Sequence, residues 1–269
     1  MKSTLKEKLD ELYLIYNKRS YVDPDPLLFL YDYPDVRDRE VAGLIAACLA
    51  YGRVEFIMKA VAHVLEKLSP SPTAYIVSHS EKDMTHDFKG FRYRYAGEDH
   101  IVSLLLGIGK VMNDFSSLES CVADGLSPGD STVMPGLEAL FRHLVKAGNP
   151  GHLLADPSKK SACKRSNLFL RWMIRKDDVD PGGWDSISTS QLIVPLDTHM
   201  HKVGTILGFT TRKSADLKTA LEITEGFRKV DKNDPVRYDF CLTRFGIRRD
   251  MQMEELRRMV GETGENVVL

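Results

Sequence analysis

Asn167-Leu-Phe-Leu-Arg-Trp-Met-Ile-Arg175, the acidic break Asp177-Asp178-Val-Asp180-Pro-Gly-Gly-Trp184, and Leu192-Ile-Val-Pro-Leu-Asp197-Thr-His-Met-His-Lys-Val-Gly-Thr-Ile-Leu207 hold most of the chemical information in this chain. Just upstream runs Lys159-Lys160-Ser-Ala-Cys-Lys164-Arg165. On a helix Lys164, Leu168, Arg171 and Arg175 share one face, because residues three and four apart are neighbours. From Lys159 to Lys176 there are seven basic residues and no acid. Like charges at that spacing destabilise a helix, so the row needs anions. An external polyanion such as nucleic-acid phosphate would supply them. So would Asp177, Asp178, Asp180 and Asp185, and both readings stay open.

Asp197 follows Pro195-Leu196 and opens a helix whose Met200, Val203, Ile206 and Leu207 point inward. An aspartate there is first an N-cap, stabilising by about 1 kcal/mol. Backbone N–H donors favour the charged carboxylate, and a charged carboxylate can also stabilise a cationic transition state. His199 and His201 are two apart and cannot face one metal, so no metal site is expected. Trp184, after Pro-Gly-Gly, either stacks on a base or seals two helices.

The flanks are helical in period. Leu5, Leu9, Leu12 and Ile15 mark a helix over 3–18. A strong helix starts at Asp38 or Arg39 and stops before Gly52, and a second runs from Val54 to Leu68. Residues 73–97 are less regular. There Phe88, Phe91, Tyr93 and Tyr95 alternate with Lys89, Arg92 and Arg94, a pattern that suits either nucleic-acid stacking or ordinary ring packing. Further helices are expected from Glu98 or Asp99 to Met112, over 118–123 and over 134–146. Two more follow: one over 215–229 capped by Ser214, and one opened by Asp234-Pro235 and ending near Gly246. No strand pattern persists. The chain is expected to be all-α.

With 269 residues, 43% hydrophobic and 28% charged, the composition is that of a globular protein with a core of its own. Net charge is −1, which argues against a non-specific nucleic-acid coat but leaves room for a local basic patch. The longest apolar run, around Val41 to Tyr51, is too short for a membrane span. No signal-like segment opens the chain, so a cytoplasmic place and no membrane partner are expected. The isolated Cys48, Cys121, Cys163 and Cys241 read as reduced packing residues. No cofactor is expected.

Val194-Pro-Leu-Asp197-Thr-His199, followed by Lys202-Val203 and Leu207-Gly208, resembles the signature of the helix-hairpin-helix DNA glycosylases. Upstream, Glu40-Val-Ala-Gly-Leu-Ile-Ala-Ala-Cys-Leu-Ala-Tyr-Gly-Arg53 is similar to an early helix of that superfamily. Ala162-Cys-Lys-Arg165 and Phe169-Leu-Arg-Trp-Met-Ile-Arg175 resemble a divergent bacterial branch of it. The separation of 33 positions from Lys164 to Asp197 is similar to that made by the longer insertion of the archaeal 8-oxoguanine glycosylases.

The resemblance implies a single two-lobed helical unit over 1–269. Lobe one would span about 39–150 and lobe two about 151–246, with helix 3–18 packed on lobe two and a charged tail over 247–269. It implies base-excision repair on damaged double-stranded DNA, with a damaged base, such as an oxidised purine, flipped into a cleft. Asp197 would stabilise the sugar cation as the base departs. Lys164 would be the Schiff-base nucleophile of an AP-lyase step, its amine activated by the positive field of Lys160, Arg165 and Arg171. Arg53, Lys159, Lys160, Arg165, Arg171, Arg175, Trp184 and His199 would contact the nucleic acid. A rival expectation is a non-catalytic nucleic-acid-binding module on the same fold. It is motivated by Asp156-Pro-Ser-Lys-Lys-Ser161, which stands without glycine where the superfamily has a glycine-containing hairpin.

Overall fold

A buried helix sits at the centre of the molecule. In the computed structural model, which describes residues 3–261, α2 (Val36–Leu49) is buried without a break from Glu40 to Leu49. A helix that is apolar on all sides needs partners on all sides. It finds them in a 3₁₀ segment (Pro26–Asp32), α3 (Val54–Lys67), α4 (Pro72–Ser78) and α9 (Lys164–Ile174). The remaining helices of the first half are α5 (Glu81–Asp87), α6 (Glu98–Phe115), α7 (Leu118–Asp124) and α8 (Met134–Leu144), and they pack on one another beside it. A second set joins α1 (Leu5–Tyr16), α10 (Thr198–Ile206), α12 (Asp239–Ile247) and α13 (Met253–Val260). Between α10 and α12 runs α11 (Leu217–Val230), against which Phe209 packs at Gly226. The only strands among the described residues form the two-residue hairpin β1 (Arg92–Tyr93) and β2 (Ala96–Gly97). The fold is all-α.

Local chemistry moves several boundaries from where the sequence places them. Asp35 caps α2, accepting from the Arg37 and Asp38 amides, so the helix starts before Asp38. Residues 73–97, irregular by pattern, hold two short helices capped by Ser71 and Ser80 and then the hairpin. Asp216, not Ser214, caps α11. Asp234-Pro235 does not open α12, which begins at Asp239; the Asp234 carboxylate is instead engaged by Arg175. The expected tail carries α13, whose Leu256 and Val260 are buried and which packs on α1 and α12. Residues 262–269 of that tail lie outside the described residues. Among the described residues no single helix is long and apolar enough to cross a membrane.

Candidate functional site

The two ends of α9 have different surroundings, and the difference builds the site. At its C-terminal end Arg171 and Arg175 are 4% and 3% exposed. Arg171 binds Asp180 at 3.1 Å and also Asp239; Arg175 binds Asp177 and Asp234, each at 2.9 Å, and also Asp180. Burial works against both guanidinium charges, but the surrounding carboxylates outweigh it and hold both above their ordinary value. These arginines are therefore not a nucleic-acid-binding surface, as the sequence reading had them. Of the four acids expected to pair, Asp177 and Asp180 do so. Asp234 and Asp239, distant in sequence, complete the network, while Asp178 and Asp185 stay exposed.

Trp184 is also corrected. Its indole is buried, packs edge-on against Phe169, and donates to Glu40 at 3.0 Å. It seals α9 to α2 and cannot stack on a base. Glu40 also accepts from the Leu118 and Glu119 amides, closing the start of α7. Burial pushes the Glu40 carboxyl up to about 7.

The acidic insertion turns the chain back along α9. Asp177 accepts from the Val179 and Asp180 amides, and the Gly182 and Trp184 amides donate to the Trp172 and Met173 carbonyls. Gly182 and Gly183 take φ of +65° and +132°, which a residue with a side chain adopts only under strain. The buried run Leu192 to Leu196 then returns along the roughly 16 Å of an eleven-residue helix to its first turn. There Asp197 caps α10, with Oδ1 accepting from the His199 and Met200 amides at 2.9 and 3.0 Å. Its other oxygen faces Lys164, with Nζ 3.8 Å from Oδ2. The two side chains are 32% and 27% exposed, so the pair is open to solvent.

The approach to Lys164 has an unusual backbone. Where glycine is lacking, Lys160 and Cys163 themselves take positive φ, 59° and 44°, on either side of a one-residue bridge from Ser161 to Asp216. A 3₁₀ turn (Pro157–Lys159) stands in place of a hairpin helix, and no side chain caps the first turn of α9. Lys159 and Lys160 are exposed, as is Arg53 at the start of α3. Arg165 is held inward. Its guanidinium donates to the Cys48 and His152 carbonyls, each at 2.6 Å, and lies over the Tyr51 ring. The His199 ring packs at Gly246 of α12, with Nδ1 buried and unpartnered, so that edge is not offered to a ligand.

Two corrections follow for the expected chemistry. The Arg171 charge is neutralised by Asp180 and Asp239 and supplies no bare positive field to Lys164. Arg165 and His199 serve packing before anything else. Sequence reasoning missed Asp239, whose buried carboxyl is pushed up by burial and also feels the Asp197 charge. It named Tyr93 and Tyr95 in the basic and aromatic run but missed that they gather with Tyr51 and His152 beside Arg165. Asp239, Tyr51 and His152 lie outside that run and join these groups only through tertiary contacts.

No curated protein and no solved structure gives a significant match to this chain. One family model does, and it covers both Lys164 and Asp197. The chain belongs to the family described as a protein of unknown function (DUF2400), whose model matches residues 25–248.

Proposed function

We propose that this protein is a DNA-repair glycosylase with AP-lyase activity, acting on a damaged base, such as an oxidised purine, flipped out of duplex DNA in the cytoplasm. The observation that carries the reading is the Lys164 Nζ to Asp197 Oδ2 approach of 3.8 Å at a solvent-open position, between residues 33 apart in sequence. An exposed ion pair of that length stabilises a fold by no more than about 1 kcal/mol, so stability alone is a weak reason to build it. As a reaction centre it is well composed. With Nζ neutral, its lone pair attacks C1′ of the flipped nucleotide while the bond to the base breaks. The bond's electron pair leaves with the base, which takes up a proton. Asp197, whose Oδ1 accepts from two backbone amides, faces with Oδ2 the positive charge that develops on the sugar. Ring opening gives the Schiff base on Lys164, and β-elimination expels the 3′ phosphate. Asp197 also lies within reach of the proton that Nζ must lose. The exposed Lys160 and Arg53, with Lys159 only loosely paired to Asp156 at 3.9 Å, are the cations available to duplex phosphates.

The test is a panel of lesion-bearing and abasic duplexes incubated with the protein under borohydride. Covalent trapping that disappears in Lys164→Gln, with base release slowed in Asp197→Asn, is the expected result. Absence of both trapping and base release on every substrate overturns the reading. DNA binding that persists through both substitutions would then favour the non-catalytic module.

A further inference from the structure

The alternating basic and aromatic residues of 88–95 are sorted by the fold into two faces. Phe88, Phe91 and Tyr93 are buried, while Lys89, Arg92, Arg94 and Tyr95 are exposed. Of the exposed residues, Lys89 and Arg92 face α3 across an open cleft of about 440 Å³. Lys59 and His63 line it from α3, Lys89 and Arg92 from the hairpin side, and no carboxylate lines it. Among the described residues Lys59, Lys89 and Arg92 have no ion-pair partner. On the same wall Phe56 is 52% exposed, an uncommon state for a phenylalanine on a helix whose apolar face is otherwise buried. Unpaired cations converging from two sides, next to a bare aromatic ring, have the chemistry of a site for phosphates and an unstacked base.

The cleft is also connected to Lys164. The Tyr93 hydroxyl donates to the Tyr51 carbonyl, and the Tyr51 ring lies under Arg165, the residue after Lys164. Beyond Arg92, Arg94 and the 69% exposed Tyr95 continue the basic and aromatic surface past the cleft. A mononucleotide would occupy the cleft alone, whereas a chain of nucleotides would also reach Arg94 and Tyr95.

We propose that the cleft between α3 and the β1–β2 hairpin binds an unpaired segment of a nucleic-acid strand, with phosphates on Lys59, Lys89 and Arg92 and a base against Phe56. The proposal deepens the glycosylase reading, because flipping a nucleotide leaves unpaired strand to be held, and it rests on that reading only for its biological use. Binding itself is measured separately.

The experiment is fluorescence anisotropy of the full chain with labelled oligo-thymidine of roughly 15 nucleotides, the same length as duplex, and a poly-glutamate peptide. The expected result for Lys59→Glu/Lys89→Glu/Arg92→Glu is single-strand binding weakened about 10-fold or more, with the logarithmic salt slope shallower by about 2 for three lost phosphates. Phe56→Ala should weaken it about 5-fold or more with the slope unchanged. The charge-neutral triple Lys59→Gln/Lys89→Gln/Arg92→Gln should move the same way, and wild-type circular dichroism in each variant guards against misfolding. Unchanged single-strand affinity in the folded triple variants overturns the proposal. So does a loss confined to the duplex or to poly-glutamate. Borohydride trapping and base release are scored apart: absence of both in the wild type sinks the glycosylase reading without touching the binding result.

Discussion

Asp197 carries two duties on two oxygens, and this makes it separable by substitution. Oδ1 caps α10 and Oδ2 faces Lys164. Asparagine caps a helix about as well as aspartate but carries no charge. Asp197→Asn should therefore leave the urea unfolding free energy within about 0.5 kcal/mol of the wild type, while slowing base release about 100-fold. A loss of stability equal to that of Asp197→Ala would mean that the charge itself holds the fold. Glu40 shows the opposite case, a carboxyl whose environment disfavours its charge. Burial raises it from an ordinary 4.5 to about 7, despite the Leu118 and Glu119 amides, Arg37 and Trp184. The folded chain then keeps a proton that the unfolded chain has released. This group's contribution is full below about 4.5 and falls as pH rises towards 7, where it levels. Unfolding measured at several pH values should show wild-type stability dropping relative to Glu40→Gln by on the order of 1–3 kcal/mol over that window. A constant difference across the window would show that Glu40 does not titrate there.

Helix α9 has a structural end and a chemical end, and the two should respond differently to substitution. Arg175→Met removes a buried cation and leaves the Asp177, Asp180 and Asp234 carboxylates unbalanced, at a cost of about 3–5 kcal/mol. Lys164→Gln breaks only a loose, solvent-open pair and should change stability by less than about 1 kcal/mol. Thermal melts of the two variants side by side test this, and equal losses would contradict the division. The basic run was plainly visible in the sequence. Which of its members face solvent was not, because that depends on Asp234 and Asp239, more than fifty residues downstream.

The family match stops at residues 25 and 248, but the packing does not. Leu9 and Leu12 of α1 are buried, the Tyr13 hydroxyl donates to Asp177, and the Tyr238 hydroxyl donates to Asp10. The Lys8 ammonium reaches the Val260 carbonyl of α13. The terminal helices thus brace the back of the insertion that returns Asp197 to Lys164. Leu9→Ala should cost about 2–4 kcal/mol through the cavity it leaves, read as a fall in the urea midpoint. It should leave the trapping yield of the folded fraction intact. If trapping fell while the midpoint held, α1 would be acting on the site and not on the fold.

The all-α class, most helix spans and the choice of Lys164 and Asp197 as candidate residues were legible from the chain alone. Helical period, caps and motif residues are local properties, written within a few positions of one another. Which cations are free was decided only by the tertiary structure. Arg171 and Arg175 read like Lys159 and Lys160 in sequence, yet the first two are buried among carboxylates and the last two are exposed. The physical reason is that a charge's role depends on its solvation and its partners, and here those partners come partly from the nearby insertion and partly from α12 and the turn before it. The meeting of Lys164 and Asp197 follows the same logic. The sequence supplied both groups, but only the folded insertion, pinned by Asp177, Gly182 and Trp184, brings them to 3.8 Å.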